Sequence, residues 1–300
     1  AGVSLNVAGV AGQVAKALNV SAKDVTVNDL AVNPATGRTF LAVTKGSGSD
    51  ASPALVKVDT TGTFSEVSLN DIGFSKVALP NAPADKAIPS RRGPRNSRND
   101  AITDLAYVDG RVIVSGLAAS NEGRMGSTIR EIDFPFVEAD QGSRIEIFHG
   151  AHGRSEDHSA IRTFVPFNIN GEPTLLAGYV CTPLVKFPLS SLKAGKKTVG
   201  TTVAELGNRN RPLDMIVYEK DGKDFLLLAN SARGVMKIST EDIATNEGLS
   251  NKVSGTAGQT YDTIASLQGV VQLDKLNPTT AIVLIQTESG AMQLKSVELP

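Results

Sequence analysis

The sequence predicts an all-β fold, a β-propeller with five recognisable four-stranded repeats. Three observations carry this. A three-strand pattern recurs five times along the 300 residues. The first two strands of most recurrences are joined by Asn-Pro, Asp-Gly or Asn-Gly, which is hairpin chemistry. A basic residue stands mid-way along every third strand, as Lys57, Arg130, Lys186, Lys237 and Lys295.

The repeats run approximately over 27–70, 101–149, 159–206, 212–264 and 268–300. In the first, Asp29–Val32 leads into the Asn33–Gly37 turn, then Thr39–Val43, then Ala54–Asp59. Outer strands are expected at Glu66–Leu69, Arg144–Phe148, Thr201–Leu206 and Tyr261–Ile264. The fifth repeat has no outer strand of its own. Val3–Val7 alternates and fits that slot, which would protect two sheet edges. The expectation is one propeller domain over 1–300: five blades closed by strand 3–7, or six if the chain is incomplete. Gly12–Leu18 is the one helix candidate.

The residues Val32-Asn33-Pro34 with Gly37, Leu226–Asn230 and Leu55–Asp59 resemble the YVTN/NHL class of propeller repeats. The resemblance implies a fold and no chemistry. The chain also resembles bacterial exported propeller proteins of no assigned activity.

Composition narrows the function classes. Net charge is −1, so no global field points to nucleic acid or an anionic membrane. The arginines have no interleaved aromatic residues for base stacking, which argues against nucleic acid a second time. The single cysteine, Cys181, excludes a disulfide within the chain. No apolar run reaches a membrane span of roughly 20 residues. The chain starts at Ala1 rather than Met, and its loops are rich in Gly, Ser, Thr and Asn. An exported location, periplasmic, cell-surface or extracellular, is the resulting expectation.

In a blade, the loops joining strands two and three share a face with the loops leading to the next blade. Here those loops are long: 45–53, 70–100, 118–127, 149–161 and 207–212. Long loops in a compact fold tend to carry function. All three histidines, His149, His152 and His158, fall in one of them. With Cys181, and with Glu156 or Asp157 completing the shell, they form a candidate metal set. Arg91, Arg92, Arg95, Arg162, Arg209 and Arg211, together with His152 and His158, form a candidate site for an anionic ligand or an acidic partner. The inner-strand carboxylates Asp29, Asp104 and Asp214 admit two readings. They tie blade to blade through backbone N–H groups, or they act as catalytic or calcium-binding oxygens with Asn28 and Asn208.

No catalytic motif of known spacing is present. The leading expectation is therefore a non-enzymatic propeller that recognises a partner protein or small anionic ligand on its long-loop face. The alternatives are a metal-dependent, lactonase-like hydrolase and a structural subunit of a redox or cell-surface assembly.

Overall fold

Apolar residues at alternate positions make the strands of the first blade and register them. Leu30 on Val25–Asn33 faces Leu41 on Arg38–Lys45, which faces Val56 on Ser52–Val58. All three side chains are buried, and each contributes about 1.5–3 kcal/mol of burial. The turn between the first two strands is built by Asn33. Its Oδ1 accepts the N–H groups of Ala35 and Thr36, and Gly37 takes the positive φ of 65° that closes the hairpin.

The protein is an all-β, five-bladed β-propeller, described from a computed structural model covering residues 4–89, 93–120, 122–181 and 183–300. Arg91 and Arg92 lie outside the described residues. The chain divides into two compact units.

The first unit holds residues 1–72, 213–238 and 262–300. It carries three four-stranded antiparallel sheets. One is the blade just described, completed by Phe64–Glu66. The second comprises Pro212–Lys220, Lys223–Asn230, Gly234–Ser239 and Tyr261–Thr263. The third comprises Val270–Asn277, Thr280–Gln286 and Met292–Glu298, and its outer strand is Asn6–Ala8. Val7 pairs with Leu294, so the N-terminal strand does fill the empty slot, three residues later than the alternation predicts. The helix spans Val10–Leu18, beginning two residues early because Gly9 adopts φ 66° there, and it buries Val10, Val14 and Leu18.

The second unit holds residues 73–212 and 239–261. One of its blades runs Asp104–Val108, Arg111–Ala119, Met125–Asp133 and Ser143–His149. The other runs Ile161–Ile169, Glu172–Tyr179, Pro183–Pro188 and Thr201–Leu206. Ile113, Ile129, Ile145, Phe164, Leu175 and Phe187 belong to one continuous core in this unit.

Segment 240–260 was not anticipated as structure. It leaves the third strand of its own blade and straps the outer edge of Thr201–Leu206. Leu249 N–H donates to Thr202 O, and Thr256–Gly258 pairs with Ala204–Leu206. Lys186, one of the recurring third-strand cations, anchors it by donating to the carbonyls of Ile243 and Ala244. Val253 N–H then donates to Gly150 O, which braces the histidine-bearing loop.

Among the described residues, no helix is long and apolar enough to cross a membrane.

Candidate functional site

The inner-strand carboxylates accept backbone N–H groups. Asp214 accepts the N–H of Met215 at one oxygen and that of Leu273, on the neighbouring blade, at the other, both at 2.8 Å. Asp104 repeats the arrangement with Leu105 (2.8 Å) and Phe164 (2.7 Å). Asp274 repeats it again with Lys275 and Val32. Asp29 accepts Leu30 N–H at 2.8 Å. For Asp104 and Asp214 the geometry supports the blade tie, whereas the Asp29 bond stays within its own strand. Asp274 is a member of the series that the repeat alignment missed.

Among the described basic candidates, two are already paired. Arg95 and Arg162 both donate to Asp100, at 2.9 and 2.7 Å. Burial, and then the like charge of Arg162, push the Arg211 guanidinium below its usual range. Arg209 sits at a positive φ of 58°. The neighbouring Asn210 is buried and ties its own loop to Cys181 through a backbone bond of 2.9 Å.

The histidines separate into two sets. Ser143–His149 turns back through Gly150–Gly153 into the short strand Arg154–Glu156, pairing Ile147 with Glu156. This hairpin stacks the His149 and His152 rings with centroids 3.8 Å apart. It aims both at Glu156, with Nδ1 of His149 3.1 Å from Oε2 and Nδ1 of His152 2.7 Å from Oε1. Arg154 Nε and Ser159 Oγ complete the shell at 3.2 and 3.3 Å. An ionised carboxylate only accepts, so each imidazole carries its hydrogen on Nδ1. Nε2 of His149 is then a buried lone pair with no donor among the described residues. His158 lies outside the cluster, exposed, its Nδ1 3.7 Å from Asp157. Cys181 is not part of it either. The expected His149, His152, His158 and Cys181 set is thus corrected to His149, His152 and Glu156, whose ligand atoms all lie within 4.8 Å of one another.

Glu205 is the residue that the sequence reading overlooked. It is a lone carboxylate in the otherwise apolar or small-residue strand Thr201–Leu206, and that isolation was its only sequence signal. It is fully buried and accepts Ala151 N–H at 3.3 Å, while its second oxygen has no partner among the described residues. The hairpin comes this close because residue 150 is glycine: a Cβ there would lie 2.9 Å from Glu205 Cγ.

The two glutamates are driven in opposite directions. Burial raises both, but at Glu156 the bonds from His152, His149 and Arg154 prevail and hold it down at about 2. At Glu205 burial prevails and the carboxyl is pushed up to about 7. Burial also lowers His149, keeping it neutral near pH 7.

A pH prediction follows from Glu205. Its folded-state affinity for the proton exceeds that of the unfolded chain, where a glutamate ionises near pH 4.5. The folded state therefore holds the extra proton between about 4.5 and 7, and stability declines as pH rises through that window. A shift of this size corresponds to about 3 kcal/mol. Denaturation by urea across the window should show the decline, and Glu205→Gln should flatten it.

No family model and no curated protein matches the sequence, so the likeness to YVTN/NHL repeats is not supported at family level. Solved structures are similar in fold. One is a family-43 β-xylosidase/α-arabinofuranosidase from a compost microbial metagenome, 9% identical, covering 92% of each chain with a TM-score of 0.43. A thermostable family-43 glycoside hydrolase is 8% identical, covers 92% of this chain and 90% of its own, and has a TM-score of 0.46. An α-L-arabinofuranosidase from Lactobacillus brevis is 10% identical, covers 91% and 90%, and has a TM-score of 0.41. At such identity the likeness concerns the fold alone. The expectation of a non-enzymatic scaffold with an open anion-binding face is nonetheless withdrawn. Arg95 and Arg162, which were to form that face, share Asp100 instead.

Proposed function

We propose that the protein is a metal-dependent hydrolase whose working residues lie in the second unit. His149, His152 and Glu156 hold the ion, and Glu205 moves the proton. The observation that carries this reading is the convergence of three ligand atoms within 4.8 Å. Two imidazoles and one glutamate are a donor set of catalytic zinc sites, which keep a fourth position for water. Ligand atoms bound to such an ion lie roughly 3–3.5 Å apart, so binding would draw the three closer together. The buried, unfilled Nε2 of His149 supports the reading independently.

A bound ion supplies an acidified water and polarises a carbonyl oxygen. The remaining work belongs to the chain. Arg154 and Ser159 orient Glu156. The strap at Val253 holds the hairpin. Glu205, titrating near 7, is matched to accept and return a proton at neutral pH. Water attacking a carbonyl suits these parts, so esters and lactones are the substrates to assay first.

Zinc titration of chelator-treated protein, followed by calorimetry and elemental analysis, is the test. We expect one ion per chain, with affinity falling at least tenfold in His149→Ala and in His152→Ala. His158→Ala and Cys181→Ala should bind as the parent does. Glu205→Gln should keep the ion and lose turnover, with kcat falling about 100-fold or more and KM little changed. A protein that takes up no ion, and whose melting ignores chelator, refutes the reading.

A further inference from the structure

The blade that begins with Asp104–Val108 carries an apolar surface that its own strands leave uncovered. Along that first strand Ala106 and Val108 pack on the core. Alternation turns Leu105 and Tyr107 to the opposite face, and both are more than half exposed there. The loop between the third and fourth strands of the same blade continues the surface. It opens Phe134-Pro135-Phe136-Val137, four apolar residues where a connecting loop ordinarily carries polar ones. Phe134 N–H donates to Gly110 O at 2.9 Å, which holds this loop beside the turn that follows Tyr107. Phe136 N–H donates to Ser75 Oγ at 2.9 Å, so the segment bearing Phe74 adjoins it.

The rings meet at right angles. Tyr107 and Phe134 stand edge to face with centroids 6.3 Å apart, and Phe134 and Phe136 do so at 5.4 Å. These contacts leave the surface open, with Tyr107 66%, Phe74 76% and Val137 89% exposed. Single apolar residues on a surface need no explanation, whereas contiguous ones mark an interaction site. The charges around them are mostly of one sign. Arg111 is paired with Glu131. Asp140 accepts Gly142 N–H within its own loop. Asp109, Asp133 and Glu138 are exposed and make no ion pair among the described residues. Lys76 is the one cation of these segments left to oppose them.

We propose that this surface docks a polypeptide segment rich in basic and apolar side chains. Its Lys or Arg residues face Asp109, Asp133 and Glu138, and its apolar residues lie on Tyr107, Phe134 and Val137. Charge decides the occupant. A second copy of this chain, placed by a two-fold axis, would bring the same carboxylates face to face. An anionic membrane surface meets the same repulsion. A basic segment gains from both features, because a guanidinium stacks on aromatic faces as well as pairing with carboxylates. The surface is separate from the histidine hairpin. Strand Ser143–His149 starts from the end of the Phe134 loop and carries His149 at its other end, so docking stands whether or not the histidines take a metal.

The probe is a short labelled peptide of alternating Arg and Leu, titrated with the full chain and followed by fluorescence anisotropy. A Glu–Leu peptide and an Arg–Ser peptide of the same length are run beside it. The first should bind, the other two at least about tenfold more weakly, and added salt should weaken the first. Tyr107→Ala should lower its affinity about tenfold, as loss of an aromatic anchor does. Asp133→Lys combined with Glu138→Lys, exposed changes that leave the rings in place, should lower it by about the same factor and flatten the salt dependence. Sedimentation of the chain alone tests for a second copy on this surface, and flotation with phosphatidylglycerol vesicles tests for a membrane. The proposal is overturned if the Arg–Leu peptide does not bind or all three peptides bind alike. It is equally overturned if both variants bind as the parent does, or if Tyr107→Ala instead abolishes a dimer or vesicle binding.

Discussion

Glu156→Ala should destabilise the protein by about 3–5 kcal/mol, the largest loss expected from any single change at the histidine hairpin. One carboxylate accepts from four side chains, His149, His152, Arg154 and Ser159. Removing it strands all four donors at once. Two of them sit in different circumstances. Arg154 is exposed and can turn to water, whereas His149 is 3% exposed and cannot. The cost is therefore concentrated at His149, where a buried N–H loses its acceptor. Glu156→Gln keeps the shape and one acceptor oxygen but turns an NH₂ towards donors, so it should recover only part of the loss. The parent protein should also lose this stabilisation in acid. The Glu156 carboxyl is held at about 2 against 4.5 when free, so its contribution is full above 4.5 and disappears as pH falls towards 2. Urea melts of parent and variants at pH 7 and in acid check both statements. A Glu156→Ala loss below about 1 kcal/mol would show that the four bonds are surface ornament of the kind that exposed ion pairs usually are.

Asp214→Ala should cost about 3–5 kcal/mol through a different cause. Its two oxygens serve the backbone, one the next residue and one a neighbouring blade. Hydrogen bonds to a charged group are worth about 1.5–3 kcal/mol each. The bond to Leu273 N–H joins residues 59 apart in sequence, so losing it loosens the packing of one sheet on the next. Asp104→Ala should behave alike, through Phe164. Exchange of the Leu273 amide should accelerate in Asp214→Ala and stay unchanged in Asp104→Ala, since each tie acts within its own unit. Asp133→Ala, at an exposed position, serves as the control and should lie within about 0.5 kcal/mol of the parent. A catalytic rather than structural Asp214 would give the opposite pattern, with stability kept and activity lost.

These two residues also show what sequence reasoning can and cannot reach. The blades were legible because hairpin chemistry is local: Asn33 and Gly37 settle their turn without help from afar. Asp29, Asp104 and Asp214 stood out because they recur before equivalent turns. Asp274 escaped because its turn, Asn277–Thr280, lacks the glycine used to align the others. The strap escaped for a stronger reason. Residues 240–255 have no period, being polar and turn-rich, and their partners are carbonyls of another blade. The histidines were found, but not their grouping. Three imidazoles in ten residues look equivalent on paper, and only the hairpin at Gly150–Gly153 decides that His149 and His152 stack while His158 stays apart. Glu205 became visible only once Gly150 was seen to lie against it.

The pairing of Asn6–Ala8 with Gln293–Lys295 has a consequence in time as well as in space. Leu5 N–H finds its acceptor on Ser296, 291 residues away. A ribosome delivers the first of these partners some 291 residues before the second. In that interval strand Asn6–Ala8 waits without its partner, and helix Val10–Leu18 beside it can pack against the first blade before the sheet of Met292–Glu298 exists. Loop-closure entropy makes contacts of this range slow to form. Completion of that sheet is then the natural late step of folding, the interval in which a chaperone or a neighbouring chain has its opportunity to occupy the open edge.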